Sequence, residues 1–279
     1  MSERIDYLLQ QAEKKLQPIA ESARLDAEVL LSHILGKNRS YFRAFPEQLL
    51  SEAESTAFKG LLERRLAGEP IAHITGQREF WSLELDVNKH TLIPRPDTEV
   101  LIEFVLQHFP QDNSKVADLG TGSGAIALAL ASEKPNWEII ATDQSEAALL
   151  TAKNNAKKLQ LNNIRFKPGS WYQALEDNDY DIIISNPPYI PSADPHLQQG
   201  DVRFEPITAL ASGENGLDDI RHLIDHAKHH LKPQGWLILE HGYDQKLAVF
   251  TLFESAGFIN IKQINDYADN PRISAAQQA

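Results

Sequence analysis

Hydrophobic residues near the start of the chain recur every three or four positions, the spacing that places side chains on one face of a helix. Three stretches with this pattern are predicted to be helices: 5–16, 22–35 and 51–68. Gly36 supplies a C-terminal stop for the second helix, and Ser51 with Glu54 forms a capping-box signature at the start of the third. Residues 1–70 are therefore predicted to form a small helical domain.

The pattern changes after this domain. Residues 71–96 contain Gly76, Pro94 and Pro96, and apolar residues alternate with polar ones between Phe80 and Val87, as in the short strands of a hairpin. We interpret this stretch as a connector. Asp97 is then expected to cap the next helix. Residues 97–279 alternate short apolar runs with helix-periodic stretches, which predicts an α/β domain with a doubly wound sheet.

The predicted elements of the second domain alternate along the chain. Strands are expected at 115–119, 138–142, 164–167, 180–185 and 236–240, helices at 124–132, 145–159, 216–231 and 244–255, and a closing antiparallel hairpin at 261–267 and 273–277. In an open α/β sheet, ligands bind beyond the carboxyl ends of the strands. The segments that follow the strands are therefore the candidates for functional chemistry.

The most informative of these segments is Asn186-Pro187-Pro188-Tyr189, which follows an apolar strand. Two successive prolines remove two backbone N–H donors, so the backbone offers carbonyl acceptors, and Asn186 adds a planar amide. Tyr189 adds an aromatic face suited to stacking on a planar group. This composition predicts a pocket for a planar NH2 group. Taken alone, the tetrapeptide is equally typical of a simple strand-to-loop turn.

A glycine-rich loop follows the first strand of the second domain. After Asp118 it contains Gly120, Thr121, Gly122, Ser123 and Gly124. Glycines permit positive φ angles and a close approach of a ligand to backbone N–H groups, and the helix N-terminus that follows favours a negative group. The loop is predicted to bind a nucleotide-type cofactor; a tight turn that only packs helix on strand is the alternative.

Two residues after later strands fit the same kind of cofactor. Asp143 ends the second strand, where its carboxylate is placed to accept both hydroxyls of a ribose. Trp171 follows the third strand and is interpreted either as a cover for an adenine ring or as a core tryptophan. With Ala125 the loop also satisfies the loose dinucleotide fingerprint, which suggests a dehydrogenase. Asp118 disfavours that alternative, because its charge would repel a pyrophosphate and suits an amino group better.

Composition narrows the function classes. The chain has 279 residues, 42% of them hydrophobic, and no cysteine, which excludes disulfides, thiolate metal sites and a cysteine nucleophile. No apolar run approaches the ~20 residues that span a bilayer, and the N-terminus has no signal sequence. We expect a cytoplasmic protein without a membrane partner.

Charge argues against extended nucleic-acid binding. The net charge is −12, and residues 1–79 hold 11 basic against 12 acidic side chains, so the remainder carries most of the acidity. Because proteins that neutralise many phosphates show a basic face, stable DNA binding is not expected. His222 and His226 are four residues apart on a predicted helix, but there is no HExxH motif and no obvious third ligand, so no metal site is expected.

The order of the glycine loop, the acid after the next strand and the NPPY segment resembles that of Rossmann-like S-adenosylmethionine-dependent methyltransferases. The NPPY segment is similar to that of enzymes that methylate adenine N6, cytosine N4 or a glutamine amide. Further motifs resemble the bacterial release factor glutamine methyltransferases, the PrmC/HemK family: Gly68-Glu69-Pro70, Ile74-Thr75-Gly76, Phe80-Trp81, the run from Leu92 to Glu99, Glu205-Pro206, Ala209-Leu210, and the run from Glu240 to Gln245. Together with the helical first domain, this resemblance spans essentially the whole chain.

The resemblance implies a seven-stranded class I methyltransferase fold, an N-terminal substrate-recognition domain, S-adenosylmethionine as methyl donor and no metal. Carried over by position, the cofactor site falls on the loop 120–124, Asp143, Trp171 and Asn186. The substrate glutamine falls on Asn186 to Tyr189. The implied substrate is the glutamine of the Gly-Gly-Gln motif in class 1 peptide chain release factors, methylated on its side-chain amide nitrogen, N5. Residues 212–217 depart from the family's usual Gly-Gly-x-Asp-Gly-Leu pattern.

Other functions remain open at this point. A DNA adenine-N6 or cytosine-N4 methyltransferase would share the NPPY segment and the cofactor, but needs a target-recognition region and a basic groove for a flipped base. The sequence indicates neither. An NAD-dependent oxidoreductase and a non-catalytic binding module are the further alternatives.

Overall fold

The first compact unit of the protein is helical and ends at Gly76. The computed structural model describes residues 3–176 and 178–279. The helices of this unit are α1 Ile5–Leu16, α2 Ala23–Leu35, α3 Arg39–Ala44, α4 Glu52–Leu66 and α5 Ile71–Thr75. The sequence predicted the first, second and fourth of them. Residues 71–76, predicted to open the connector, form α5 and the last turn of this unit instead.

One face of each long helix in this unit forms its core. Leu9 of α1, Leu31 of α2 and Phe58 of α4 are buried in one hydrophobic cluster, as the helical spacing requires. The capping box at α4 is confirmed: the Ser51 hydroxyl accepts from the N–H of Glu54, and the Glu54 carboxylate accepts from the N–H of Ser51.

The second compact unit runs from Gln77 to Ala279. Its strands are β1 Gln77–Phe80, β2 Leu83–Asp86, β3 Lys115–Leu119, β4 Glu138–Asp143, β5 Ile164–Pro168, β6 Tyr180–Ser185, β7 Leu231–Glu240, β8 Ile259–Asn265 and β9 Pro271–Gln277. Its helices are α6 Glu99–His108, α7 Ala125–Glu133, α8 Glu146–Lys158, α9 Asp218–Ala227 and α10 Lys246–Ser255. The predicted hairpin is present as β1 and β2, which pair antiparallel within this unit.

The main sheet has seven strands in the order β5-β4-β3-β6-β7-β9-β8. The first five are parallel, and β9 runs antiparallel to both β7 and β8. Neighbouring strand residues face opposite sides: Val116 packs in one hydrophobic cluster and Ala117 in another. Since both faces are covered, the predicted α/β doubly wound architecture with seven strands is confirmed. The chain order reverses between β3 and β6, which is where such sheets bind ligands.

Two local predictions were wrong. The helix predicted at 216–231 ends at Ala227, because Leu231 pairs with Tyr180 and extends β7 toward its start. Asp97 does not cap α6, since the residue directly before that helix is Thr98 and no side chain caps it. The pairing of Leu231 with Tyr180 moved the end of α9, and a 3-10 turn, Pro96–Thr98, moved the start of α6 past Asp97.

The longest helix described, α4, has 15 residues. A helix that crosses a bilayer needs about 20 apolar residues. In residues 3–176 and 178–279, no helix is long and apolar enough to cross a membrane.

Candidate active site

A cavity of about 280 Å³ lies at the carboxyl ends of β3, β4 and β6, beside the reversal of strand order. Its wall is formed by Phe80, 89–92, Pro94, Arg95, Thr98, 120–123, Ala125, Ile126, 143–145, Ala148, 169–171, Asn186, Pro188, Pro206, Thr208 and Ala209. The volume is near the lower end of the range for small-molecule sites. The cavity therefore gathers most of the residues that the sequence singled out.

The glycine loop forms one wall of this cavity. Gly120 has a φ of +74°, and a Cβ there would lie 3.1 Å from the indole ring of Trp171. Gly124 has a different role: it does not line the cavity, and a Cβ there would lie 2.8 Å from Leu128. Gly124 was predicted to contact the cofactor. Its position allows α7 to pack closely instead, while Gly120 keeps the loop close to the indole.

Asp143 lies at the end of β4 and lines the cavity. One carboxylate oxygen accepts from the N–H of Gly122 at 2.9 Å and the other from the N–H of Ser145 at 2.8 Å. Ser145 itself caps α8 by accepting from Ala148, as expected. Because a carboxylate has about four acceptor positions, Asp143 retains the capacity to bind a diol. Burial raises its pKa.

Asp118 lies beneath the glycine loop and is 1% exposed. One oxygen accepts from the hydroxyl of Thr121 at 2.6 Å and from the N–H of Ala127 at 3.2 Å. The other oxygen, Oδ1, is buried and has no hydrogen-bond partner in the described part of the chain. Burial raises the pKa of Asp118 to about 7. The cavity wall does not include Asp118, so this residue lies behind the glycine loop rather than in the cavity.

The raised pKa of Asp118 predicts a pH-dependent stability. The pKa is 3.8 for an ordinary Asp and about 7 in the fold, so between these values the folded protein binds a proton that the unfolded chain has released. Stability is therefore expected to fall as pH rises through that window, by about 1.4 kcal/mol per pH unit. Urea unfolding of the wild type and Asp118→Asn, without added ligand, at about pH 5 and pH 8 measures this effect. The wild type should lose stability relative to the variant at the higher pH; an equal difference at both pH values would contradict the prediction.

Asn186 directly follows β6 and lines the cavity. Its Nδ2 donates to Oγ1 of Thr98 at 3.3 Å, and the hydroxyl of Thr98 donates to Glu240 at 2.6 Å. The side-chain oxygen of Asn186 is therefore not the atom that contacts Thr98, and it stays free to accept a hydrogen bond at the end of β6.

The rest of the NPPY segment lies partly behind the cavity wall. Pro188 lines the cavity, whereas Pro187 and Tyr189 do not. Tyr189 donates its hydroxyl to Glu240 at 3.1 Å. Its carbonyl accepts from Nε2 of Gln245 at 2.9 Å. Burial and the neighbouring carboxylate raise the pKa of the Tyr189 hydroxyl. The tyrosine is thus anchored at both its hydroxyl and its backbone.

Sequence comparisons identify the family of this chain. Residues 7–76 match the PrmC N-terminal domain, and residues 98–200 match the methyltransferase small domain. The release factor glutamine methyltransferase of Aliivibrio fischeri is 50% identical over 92% of this chain and 91% of that protein. The protein of the same description in Escherichia coli is 48% identical over 96% of each chain. This chain belongs to the release factor glutamine methyltransferase family.

A solved structure supports the fold. A methyltransferase from Pyrococcus furiosus superimposes with a TM-score of 0.55, covering 79% of this chain and 99% of that one, at 19% identity. The shared architecture is that of the sheet described above. Further properties of this member of the release factor glutamine methyltransferase family follow from its own residues.

Trp171 forms part of the cavity wall in this family member, and it also packs against the hydrophobic core cluster on one face of the sheet. It has a φ of +48°, in the left-handed region, and its Nε1 donates to Asp219 at 3.2 Å. The same carboxylate accepts from the hydroxyl of Ser212 at 2.6 Å. Ser212 begins the segment that departs from the family pattern. The departure therefore adds a hydrogen bond behind the tryptophan.

Arg95 and Glu205 join two opposite parts of the wall, a link that the sequence did not reveal. Glu205 accepts from the guanidinium of Arg95 and from the N–H of Ile93 at 2.8 Å. Burial raises the pKa of Glu205, and the charge of Arg95 acts against that rise. Pro206, the next residue, lines the cavity. This ion pair therefore holds the 89–98 segment against the 206–209 segment.

Asn155 was also missed by sequence reasoning. It is fully buried on α8 and donates to the carbonyl oxygens of Asp86 at 3.0 Å and Ser123 at 2.9 Å. It also accepts from the N–H of Asp86 at 2.8 Å. An asparagine on the buried face of a predicted helix is the signal that would have identified it. It fastens the β1–β2 hairpin to the glycine loop.

The histidines near α9 form a stack of rings. The rings of His222 and His226 lie 4.4 Å apart, and the ring of His230 stacks on Tyr172 at 4.7 Å. Among residues 3–176 and 178–279, no group of three or more His, Cys, Asp or Glu side chains is arranged to hold a metal. His230 follows α9 rather than lying on it, because that helix ends at Ala227.

Proposed function

We propose that this protein transfers a methyl group from S-adenosylmethionine to the side-chain amide nitrogen, N5, of the glutamine in the Gly-Gly-Gln motif of class 1 peptide chain release factors. The observation that carries the proposal is the orientation of Asn186. Its amide oxygen is left as an acceptor at the end of β6, next to a cavity walled by the glycine loop and Asp143. Membership of the release factor glutamine methyltransferase family supports the choice of glutamine.

The residues around the cavity fit S-adenosylmethionine. Asp143 has acceptor capacity for the two ribose hydroxyls, and the indole of Trp171 offers a flat surface in the wall. The unpartnered Oδ1 of Asp118 is a buried carboxylate oxygen beneath the loop, which suits a positively charged amino group near the loop. When bound, S-adenosylmethionine supplies a methyl group activated by the sulfonium charge. Because the donor is already activated, the proposed transfer requires no metal.

The substrate glutamine presents a weak nucleophile, because resonance draws the amide nitrogen lone pair toward the carbonyl. We propose that Oδ1 of Asn186 and the carbonyl of Pro187 accept the two amide hydrogens. The ring of Pro187 lies behind the cavity wall, but its carbonyl belongs to the peptide bond that joins it to Pro188, which lines the cavity. Two acceptors in fixed positions orient the nitrogen and leave its lone pair directed into the cavity. Orientation of this kind is worth about 7–11 kcal/mol relative to free encounter.

The same acceptors favour the transition state over the bound substrate. The amide nitrogen forms a bond to the methyl carbon while the bond from that carbon to sulfur breaks and leaves a neutral thioether. Positive charge therefore develops on the nitrogen, and its N–H groups become stronger donors. The methylated amide returns to neutrality by losing one of these protons to water. Fixed acceptors aimed at developing charge stabilise the transition state selectively. Two prolines contribute because they remove N–H groups that would otherwise compete for these carbonyls.

The proposal is tested by offering methyl-labelled S-adenosylmethionine with class 1 release factors, with DNA and with buffer alone. We expect label on the release factor only, mapped by peptide mass spectrometry to the glutamine of the Gly-Gly-Gln motif. Label on DNA would instead support an adenine-N6 or cytosine-N4 methyltransferase. Release factor that stays unlabelled while the protein binds S-adenosylmethionine would overturn the choice of substrate.

We further propose that the N-terminal helical domain recognises the body of the release factor. A single glutamine side chain offers too little surface to distinguish one protein from another, since specific interfaces bury about 800 Å² on each partner. Within this domain, Tyr7 and Leu49 are 53% and 59% exposed and line a shallow groove among charged residues. Because translation termination is cytoplasmic, we place the protein in the cytoplasm.

A substitution in this groove tests the recognition role. Leu49→Ser is expected to raise the KM for the release factor about fivefold, because the loss of one interface anchor costs about 1 kcal/mol. The KM for S-adenosylmethionine should not change. Ile19→Ser is the matched control, since Ile19 is 49% exposed but lies outside the groove. Equal effects of both substitutions in steady-state methylation assays would count against the groove.

A further inference from the structure

A buried carboxylate lies behind the NPPY segment. Glu240 ends β7, next to the strand that leads into Asn186, and is 1% exposed. One oxygen accepts from the hydroxyl of Thr98 at 2.6 Å, and the other accepts from the hydroxyl of Tyr189 at 3.1 Å. A single carboxylate therefore holds a residue of the cavity wall and the last residue of the NPPY segment.

The bond from Thr98 to Glu240 decides which way the Asn186 amide faces. A threonine hydroxyl has one hydrogen, and Glu240 takes it. Oγ1 of Thr98 can then only accept a hydrogen bond from Asn186. The group of Asn186 that lies 3.3 Å from Oγ1 is therefore its NH2. With the amide nitrogen held there, the amide oxygen faces away from Thr98. A hydroxyl with a free hydrogen would permit the opposite orientation.

We propose that Thr98 and Glu240 are positioning residues for methyl transfer: they fix the Asn186 amide with its oxygen toward the substrate and hold Tyr189 on the same carboxylate. This inference rests on the proposed function, because it assumes that Asn186 accepts from the substrate amide. It assigns a reaction-specific role to two residues that act through the Asn186 amide and Tyr189 rather than on the transferred group.

The charges around Glu240 are consistent with this role. An ionised carboxylate only accepts hydrogen bonds, so it requires both hydroxyls to donate. Burial raises the pKa of Glu240, while the Thr98 hydroxyl and the positive charge of Arg272 favour the ionised form. Arg272 is itself held by Asp266 at 3.0 Å and lies 3.6 Å from Asp97. The positive charge of Arg272 that favours ionised Glu240 is therefore held in a fixed position.

Removal of the Thr98 hydroxyl separates positioning from mere packing. Thr98→Val keeps the shape but neither donates to Glu240 nor accepts from Asn186. We expect kcat to fall about tenfold, the equivalent of one lost hydrogen bond, with the KM for S-adenosylmethionine unchanged. The melting temperature should fall by a few degrees, because the variant leaves one buried oxygen of Glu240 without its donor. Thr98→Ser keeps the hydroxyl and should retain kcat within about twofold. If valine prevents folding, Thr98→Ala serves as the second hydroxyl-free variant.

A double-mutant cycle completes the test. If Thr98 acts through Asn186, Thr98→Val causes no further loss of kcat in an Asn186→Ala background. The inference is overturned if the two effects multiply, if the serine variant loses as much activity as the valine variant, or if the valine variant keeps wild-type kcat. A wild-type protein that labels no release-factor glutamine would refute the proposed function, and the inference with it. Multiplying effects in an active enzyme would refute the inference alone.

Discussion

Asn186→Ala is expected to lower kcat for glutamine methylation about 100-fold, the loss typical of removing one preorganised hydrogen-bonding group that stabilises developing charge. The amide nitrogen of Asn186 contacts Thr98, so the amide oxygen faces away from Thr98 at the end of β6 and serves as the acceptor. Binding of S-adenosylmethionine should change by less than about threefold, since the glycine loop and Asp143 are intact. Single-turnover transfer of labelled methyl groups, with calorimetric binding of the donor, measures both quantities.

Two companion variants make this prediction specific. Asn162→Ala removes an exposed amide that does not line the cavity and should leave kcat unchanged. Asn186→Asp should not restore activity, because it would set a carboxylate oxygen against Oγ1 of Thr98, whose hydrogen Glu240 already takes. Near-normal turnover in Asn186→Ala would show that the amide does not hold the substrate.

Asp143→Ala is expected to weaken binding of S-adenosylmethionine by about 100-fold or more. Its carboxylate is the proposed partner of the ribose, and a hydrogen bond to a charged group contributes about 1.5–3 kcal/mol. The substitution also frees the N–H groups of Gly122 and Ser145, which Asp143 holds at 2.9 and 2.8 Å. Isothermal titration of the variant against the wild type measures the loss.

Controls for Asp143 separate charge from loop order. Asp143→Asn keeps one oxygen and should lose about tenfold in affinity. Glu146→Ala removes an exposed acid in the first turn of the following helix and should bind normally. Titration with NAD in place of S-adenosylmethionine should show no binding; measurable affinity for NAD would revive the oxidoreductase alternative. Unchanged donor binding in Asp143→Ala would contradict the assignment of the ribose acid.

Local sequence patterns predicted most of the elements that position the site. Strand β3, the helix after the glycine loop and strand β6 are each where alternation or periodicity placed them, within one residue. These elements depend on contacts close in sequence and on burial of apolar runs, both of which a single chain displays. The order of strand ends then predicted that the glycine loop, Asp143 and Asn186 meet at one edge.

Tertiary pairing decided what local patterns could not. Leu231 belongs to a strand because it faces Tyr180 across the sheet, although the preceding residues continue a helical pattern. Asp97 looked like a helix cap, yet its carboxylate lies near Arg272 at 3.6 Å. The residue that caps a helix is the one directly before its first turn. Here the 3-10 turn that starts at Pro96 places Thr98, not Asp97, in that position.

The sequence by itself determined a two-part chain and an α/β sheet with a glycine loop, and it predicted a planar-amide pocket at the end of the fourth parallel strand. Only the tertiary structure decided how that pocket is oriented. Thr98 and Glu240 are 142 positions apart, and Arg95 and Glu205 are 110 apart. Hydrogen bonds over such separations leave no periodic trace in the chain, because they arise only once the sheet has brought distant strand ends together. The bond from Thr98 to Glu240 is the one that determines which atom of the Asn186 amide faces Thr98.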